Sequence, residues 1–259
     1  MSHNENLKVV EEKRWQNSFI NLLSIEFGGW WKSKTWLTMS IMWIAIINGI
    51  TIMMLLQTDI ELPAALSFYG IFGGMFPPIA VVLVMQESIV GEKKSGTAEW
   101  VLSKPVSRKS FILAKWLGNS LNVLITIALF PGIVGYFMFS LFYGNWLNFP
   151  MFILAIMSLG LTLVFFVALT LMAGTFLESA GAVAAIPMVI NFAQQFLINI
   201  PYAEFILPQS IYLKSGATSI MTSIALGLPI FSVIPIISMI GLIALFLVIA
   251  LLKFEKSEF

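Results

Sequence analysis

Residues 91–110 read GEKKSGTAEWVLSKPVSRKS, an island with five basic side chains, Lys93, Lys94, Lys104, Arg108 and Lys109. The stretches on either side, about Ala65–Met85 and Phe111–Leu141, are almost wholly apolar. Each is long enough to cross a bilayer, which takes about 20 apolar residues in a helix. A dense polar loop between two such stretches makes this an integral membrane chain. Composition agrees: 59% of the 259 residues are hydrophobic and 10% charged, against about 25% charged in soluble domains. The mean hydropathy is +0.93.

Outward from the island, six stretches have the length of a span: about Trp36–Leu56, Ala65–Met85, Phe111–Leu141, Met151–Ala173, Val183–Ile200 and Pro229–Leu252. The third is overlong and divided by Pro131-Gly132, and the fifth is the shortest. Pro77-Pro78, Pro187 and Pro235 are expected to kink or break their helices. The first 18 residues are polar, so no cleavable signal peptide is expected. Six spans return both termini to one side. Of the 14 basic residues, Lys8, Lys13, Arg14, Lys32, Lys34, the five of the island, Lys115, Lys253 and Lys256 then share that side, and only Lys214 faces the other. Lysine and arginine accumulate on the cytoplasmic side, so the arm, the island, the 174–182 turn and the tail are expected there. The expected location is the cell membrane, multi-pass, with both termini cytoplasmic, in a bacterial or archaeal plasma membrane.

Missing residue types exclude most chemistry. There is no cysteine, one histidine (His3) and one aspartate (Asp59). Disulfides, thiolate sites and an aspartyl dyad are therefore ruled out, and zinc lacks its usual ligand set. Gly91 and Gly96 with Lys93 and Lys94 do not make a phosphate loop, because Thr97-Ala98 follows Gly96 where Lys-Ser/Thr is required. No metal site is expected, and no nucleic-acid partner; the net charge of +1 carries no such signal.

The polar elements each admit two readings. In NSFINLLSIEFGGWWKSKTW, residues 17–36, apolar residues fall at helical spacing and two tryptophans precede Lys32 and Lys34. This fits a helix lying in the headgroup layer, with a bend expected at Gly28-Gly29; the other reading is a soluble helix packed on protein. Within the island, Ser95 or Thr97 can cap a short helix, Glu99 suits its first turn, and Lys104-Pro105 stops it. Trp100 and Leu102 on that helix make a docking knob; the other reading is a solvated loop whose lysines only set topology. Ser107 can cap the helix of the third span. The segment 201–228 is punctuated by Pro201, Pro208, Gly216 and Gly227 yet carries many apolar residues. It is read as short helices that re-enter the membrane or as a loop on the headgroups. Inside the spans the polar residues are Asn48, Asn119, Asn122, Asn191, Gln194 and Gln195. Each can serve as an interhelical hydrogen bond; Asn48, with Asn191, Gln194 and Gln195 on one helical face, is also a candidate for lining a translocation path. Lys115 is expected to snorkel to the inner interface. Gly70 and Gly74 form a Gly-x-x-x-Gly face that permits close helix approach.

The order of these elements resembles the permeases of ABC-2-type transporters. The resemblance is carried by an amphipathic helix and two spans, then Glu87, Gly96-Thr97, Leu102-Ser103-Lys104-Pro105-Val106-Ser107-Arg108, and Lys115 at the start of the third span. It is sharp over residues 86–116 and elsewhere rests on layout. It implies an all-α integral membrane protein with six transmembrane helices, an N-terminal amphipathic elbow helix, a cytoplasmic coupling helix between spans 2 and 3, and short extracytoplasmic helices between spans 5 and 6. The chain is then a single permease domain, 1–259, with a cytoplasmic arm and elbow (1–35), a coupling loop (86–110) and an extracytoplasmic segment (201–228). Glu87, Gly96, Thr97, Glu99, Trp100, Leu102, Pro105, Arg108 and Glu178 are the expected ATPase-coupling residues. The resemblance further implies a non-catalytic subunit, a separate cytoplasmic ABC ATPase that binds ATP and Mg, a second permease copy or a paralogue, contact with membrane lipid, and export. Three alternatives remain: a non-transporting anchor or mechanotransmitter for an ATPase and an extracytoplasmic partner, a secondary carrier, and a membrane enzyme. The carrier is opposed by the lack of mid-membrane charge.

Overall fold

The computed structural model describes residues 14–57, 59–102, 106–197, 200–214 and 218–256. All regular structure among them is helical. The helices are α1 (Arg14–Lys32), α2 (Thr35–Gln57), α3 (Leu62–Met75), α4 (Pro77–Met85), α5 (Val90–Lys94), α6 (Thr97–Leu102), α7 (Arg108–Phe142), α8 (Phe149–Phe176), α9 (Ala180–Leu197), α10 (Ile220–Ala225) and α11 (Ile234–Glu255). Two 3₁₀ turns, Ala203–Phe205 and Pro208–Ile211, lie between α9 and α10. Six helical stretches are long and apolar enough to cross a membrane: α2, α3 through α5, α7, α8, α9 and α11. The six-span, all-helical expectation is met. Lipid offers backbone groups no partners, so each crossing segment must satisfy them within itself.

The prolines act in different ways. At Phe76 the chain bends, because Pro77 and Pro78 donate no N–H, and Ile79 N turns to Phe76 O at 3.0 Å. Pro131 was expected to divide the third span, yet α7 runs through it. A wide π-helical turn at Leu124–Leu129 precedes the proline, and such a turn relieves the clash between the ring and the preceding turn. Pro187 lies within α9 without ending it. Pro235 was expected to kink the last span; it sits in the first turn of α11, where its fixed φ and missing N–H suit a helix start. Gly28-Gly29 likewise causes no break, and α1 is continuous across it.

The central helix is α8, with 72% of its apolar window buried, against 33% for α2, 28% for α9 and 22% for α11. Small residues let α7 approach it: a Cβ on Gly132 would meet Ile156 Cγ2 at 2.7 Å. Asn48 Nδ2 of α2 donates to Pro131 O at 3.2 Å, and Tyr69 Oη of α3 donates to the same carbonyl at 3.1 Å. One backbone oxygen of α7 thus ties three helices together.

The Gly70–Gly74 face admits the outer segment rather than another span. A Cβ on Gly74 would lie 2.1 Å from Tyr212 Cδ1, and one on Gly70 would lie 3.3 Å from Met221 Sδ. Gly74 is about 18 Å along the helix from Leu62 at 1.5 Å per residue. Tyr212, Ile220, Met221 and Thr222 are all buried. The segment dips deep between the spans and does not lie on their ends.

Candidate functional site

The charged segments collect at one end of the bundle. α5 and α6 are short, and Gly96, in the left-handed region at φ +70°, makes the turn between them. Ser95 and Thr97 share a hydroxyl hydrogen bond of 2.8 Å at the head of α6. Thr97, Glu99 and Trp100 are exposed, and the tryptophan is 62% accessible. Pro105 and the side chain of Leu102 lie outside the described residues. Ser107 caps α7 as expected, accepting from Ser110 N at 3.0 Å.

Glu178 lies in the turn between α8 and α9, and the structure brings it to α5. Together with Val90, Lys93 and Lys94 it borders a cleft of about 300 Å³. Lys93 Nζ donates to Thr175 O at 3.3 Å. Arg108 donates from Nη1 to Glu255 O at 2.7 Å and to Phe254 O at 3.4 Å. A guanidinium on the last carbonyls of α11 satisfies them and complements the negative end of the helix dipole. Arg108 is thus engaged with the end of the last span. These ties place α5, the α8–α9 turn, the start of α7 and the end of α11 together. That is the grouping span count and charge sorting require.

The node of this end is Lys115, on α7. It was expected to snorkel, but the structure corrects this: the residue is 3% exposed and its ammonium is enclosed by carboxylates. Nζ lies 2.7 Å from Glu26 Oε1 of α1 and 2.6 Å from Glu92 Oε1 of α5. Asn119 Nδ2 reaches Glu26 Oε2 at 3.4 Å, and Asn122 Nδ2 reaches Glu26 O at 3.4 Å. Gly118 makes this contact possible, since a Cβ there would sit 2.8 Å from Glu26 Cβ. Breaking a buried pair by removing one partner strands a charge and costs about 3–5 kcal/mol. The node forms part of the wall of an open cleft of about 420 Å³, to which Glu26, Glu92, Lys115 and Asn119 contribute together with Trp30 and Glu87. Neither Glu26 nor Glu92 was singled out from sequence. The available signal was Glu26, the one charged residue between Arg14 and Lys32 on an otherwise apolar-faced helix, since such a charge needs a partner; Glu92, among the lysines of the island, carried no such mark.

The amides proposed for a path each have hydrogen-bond partners within the chain. Asn48 is buried on Pro131 O. Asn191 Nδ2 donates at 3.2 Å to Met75 O, a carbonyl next to the proline break. Gln194 Nε2 donates to Asn191 Oδ1 and to Tyr212 Oη, both at 3.2 Å, and its Oε1 accepts from Gln209 N at 3.1 Å. Gln195 Oε1 accepts from Gln209 Nε2 at 2.9 Å. In this single chain the α9 amides therefore join the outer segment to α3.

Six apolar helices, a hydrogen-bonded segment packed between them and one ion-paired polar end define a multi-pass helical membrane protein. The chain belongs to the ABC-2 family transporter proteins, whose family match extends over residues 16–259. That family comprises membrane subunits of ABC transporters. Over 120 residues the chain is also 26% identical to the uncharacterized transmembrane protein YxlG of Bacillus subtilis (strain 168), a match covering 46% of each protein. The matched part is just under half the length of that relative.

Proposed function

We propose that the chain is the permease subunit of an ATP-driven exporter, working as a pair of copies with a separate cytoplasmic ABC ATPase. ATP and Mg belong to that partner, and this chain carries out no bond chemistry. The observation that supports the reading most directly is α6: a short helix presenting Trp100 outward, carried on α5, whose Glu92 is ion-paired to the third span. Closure of an ATPase pair against α6 and the Glu178 turn would be passed to the spans through these contacts.

A path between copies fits the packing better than one within a copy. A cavity among the spans, bordered by Ile47, Tyr69 and Pro131, holds about 10 Å³, scarcely space for one water. By contrast α9 exposes Ile186, Val189, Phe192 and Phe196. Those faces suit a second copy, lipid and an amphipathic cargo. The carrier reading gains nothing from the structure, because the buried ammonium is locked between two carboxylates at one end.

Replacing Trp100→Asp together with Leu102→Asp tests the docking role. The chain is co-expressed with the ABC ATPase of its gene neighbourhood, and ATPase retention on the purified chain is measured. An exposed tryptophan anchor contributes about 2 kcal/mol or more to an interface, so retention is expected to weaken about 30-fold. Membrane insertion stays unchanged. Undiminished retention of the ATPase would sink the docking role.

Orientation is tested by cysteine labelling, since the chain has no cysteine of its own. Ser95→Cys is expected to be shielded from an impermeant maleimide in intact cells, whereas Tyr202→Cys reacts. Reversed labelling overturns the cytoplasmic placement of α6.

A further inference from the structure

We infer that Lys115 is a positioning residue whose ammonium clamps α1, α5 and the start of α7 into one rigid unit, so that displacement of α6 is carried into the third span instead of being absorbed by the loop. The carboxylates come from two separate elements, Glu26 of α1 and Glu92 of α5, and converge on one Nζ at 2.7 and 2.6 Å. α5 continues the second span and is packed by buried Val90 against Ala173 and Val183 of α8 and α9. That packing joins it to α8 and α9; the Glu92–Lys115 pair is what joins it to the third span. On the other side, Glu26 is pressed against Gly118 and fixed by Asn119 and Asn122. Without the ammonium, the two acids would face one another with like charge, and α1 and α5 would separate. The loop would then be free to move without the elbow and third span, which stay packed on one another at Gly118.

The source of the push rests on the permease reading, but the rigid unit does not. The test therefore uses the full chain in liposomes with no ATPase present. Spin labels are placed at Ile20→Cys on α1 and Thr97→Cys on α6, both exposed positions, and the distance between them is measured by pulsed electron resonance. The otherwise unaltered chain and Lys115→Arg are expected to give a single narrow distance. The neutral variant Glu26→Gln/Lys115→Met/Glu92→Gln removes both the clamp and the repulsion. It is expected to insert normally and to show a second distance in more than about a tenth of the molecules, above the usual range of a minor state. A purely stabilising role for Lys115 would leave that distance narrow, and this result overturns the inference. Should the neutral variant fail to insert, Glu92→Gln alone cuts only the α5 tie; it is expected to give the second distance, and a single narrow one is likewise fatal. Loss of ATPase docking in the Trp100 and Leu102 variant leaves either outcome intact.

Discussion

Lys115→Met is expected to lower the unfolding free energy of the inserted chain by about 1–3 kcal/mol, less than the cost of stranding a fully buried charge, because the Glu26 and Glu92 side chains are 23% and 27% exposed. The ammonium lies between Glu26 and Glu92 and is almost inaccessible. Methionine fills a similar volume but neutralises neither carboxylate, so both must take up protons, draw in water or move apart. Thermal or SDS unfolding in detergent measures the loss. Adding Glu26→Gln and Glu92→Gln is expected to recover most of it, because an ion-paired group replaced as a whole is often close to neutral in stability. Loss below about 1 kcal/mol in the single variant would mean that the node is solvated, as exposed pairs are.

Gly74→Leu is expected to displace the outer segment from the bundle. Even a Cβ at this position would lie 2.1 Å from the ring of Tyr212. The ring cannot easily withdraw, because Tyr212 is buried and its hydroxyl accepts from Gln194. Overpacking typically costs about 1–3 kcal/mol and occasionally more; a rigid aromatic in the way puts this site at the upper end. The unfolding midpoint should fall, and protease should cut between α9 and α10 in sealed vesicles of suitable orientation. Tyr212→Ala in the same chain empties the space and is expected to restore part of the stability. Equal damage with or without Tyr212 would place the fault elsewhere.

Much of this arrangement was legible from residues alone. The six spans fell within a few residues of the observed helices, and Ser107 was recognised as a cap. The missing cysteines and near absence of histidine and aspartate removed most chemistry from consideration. The short helix carrying Trp100 was also expected. What was misjudged concerns neighbours. Pro131 was read as a break because the π-helical turn before it leaves no mark in composition. Gly70 and Gly74 were read as permitting close helix approach; the helix that comes there is short α10, through Met221, and Tyr212 fills the space at Gly74. Lys115 was given a solvent outlet and has two carboxylates instead.

Which stretches are long and apolar enough to cross a bilayer, and where the charges fall between them, the amino-acid sequence determined by itself. Hydropathy and charge belong to each side chain and add along the chain, so a window of 20 residues suffices to read them. Only the tertiary structure decided what meets what. Glu26 lies 89 residues from Lys115 in sequence, and Glu92 lies 23 away. Their convergence depends on how three helices are rotated and how closely Gly118 lets two of them approach. Rotation and approach are set by packing among distant segments, and no local pattern encodes them.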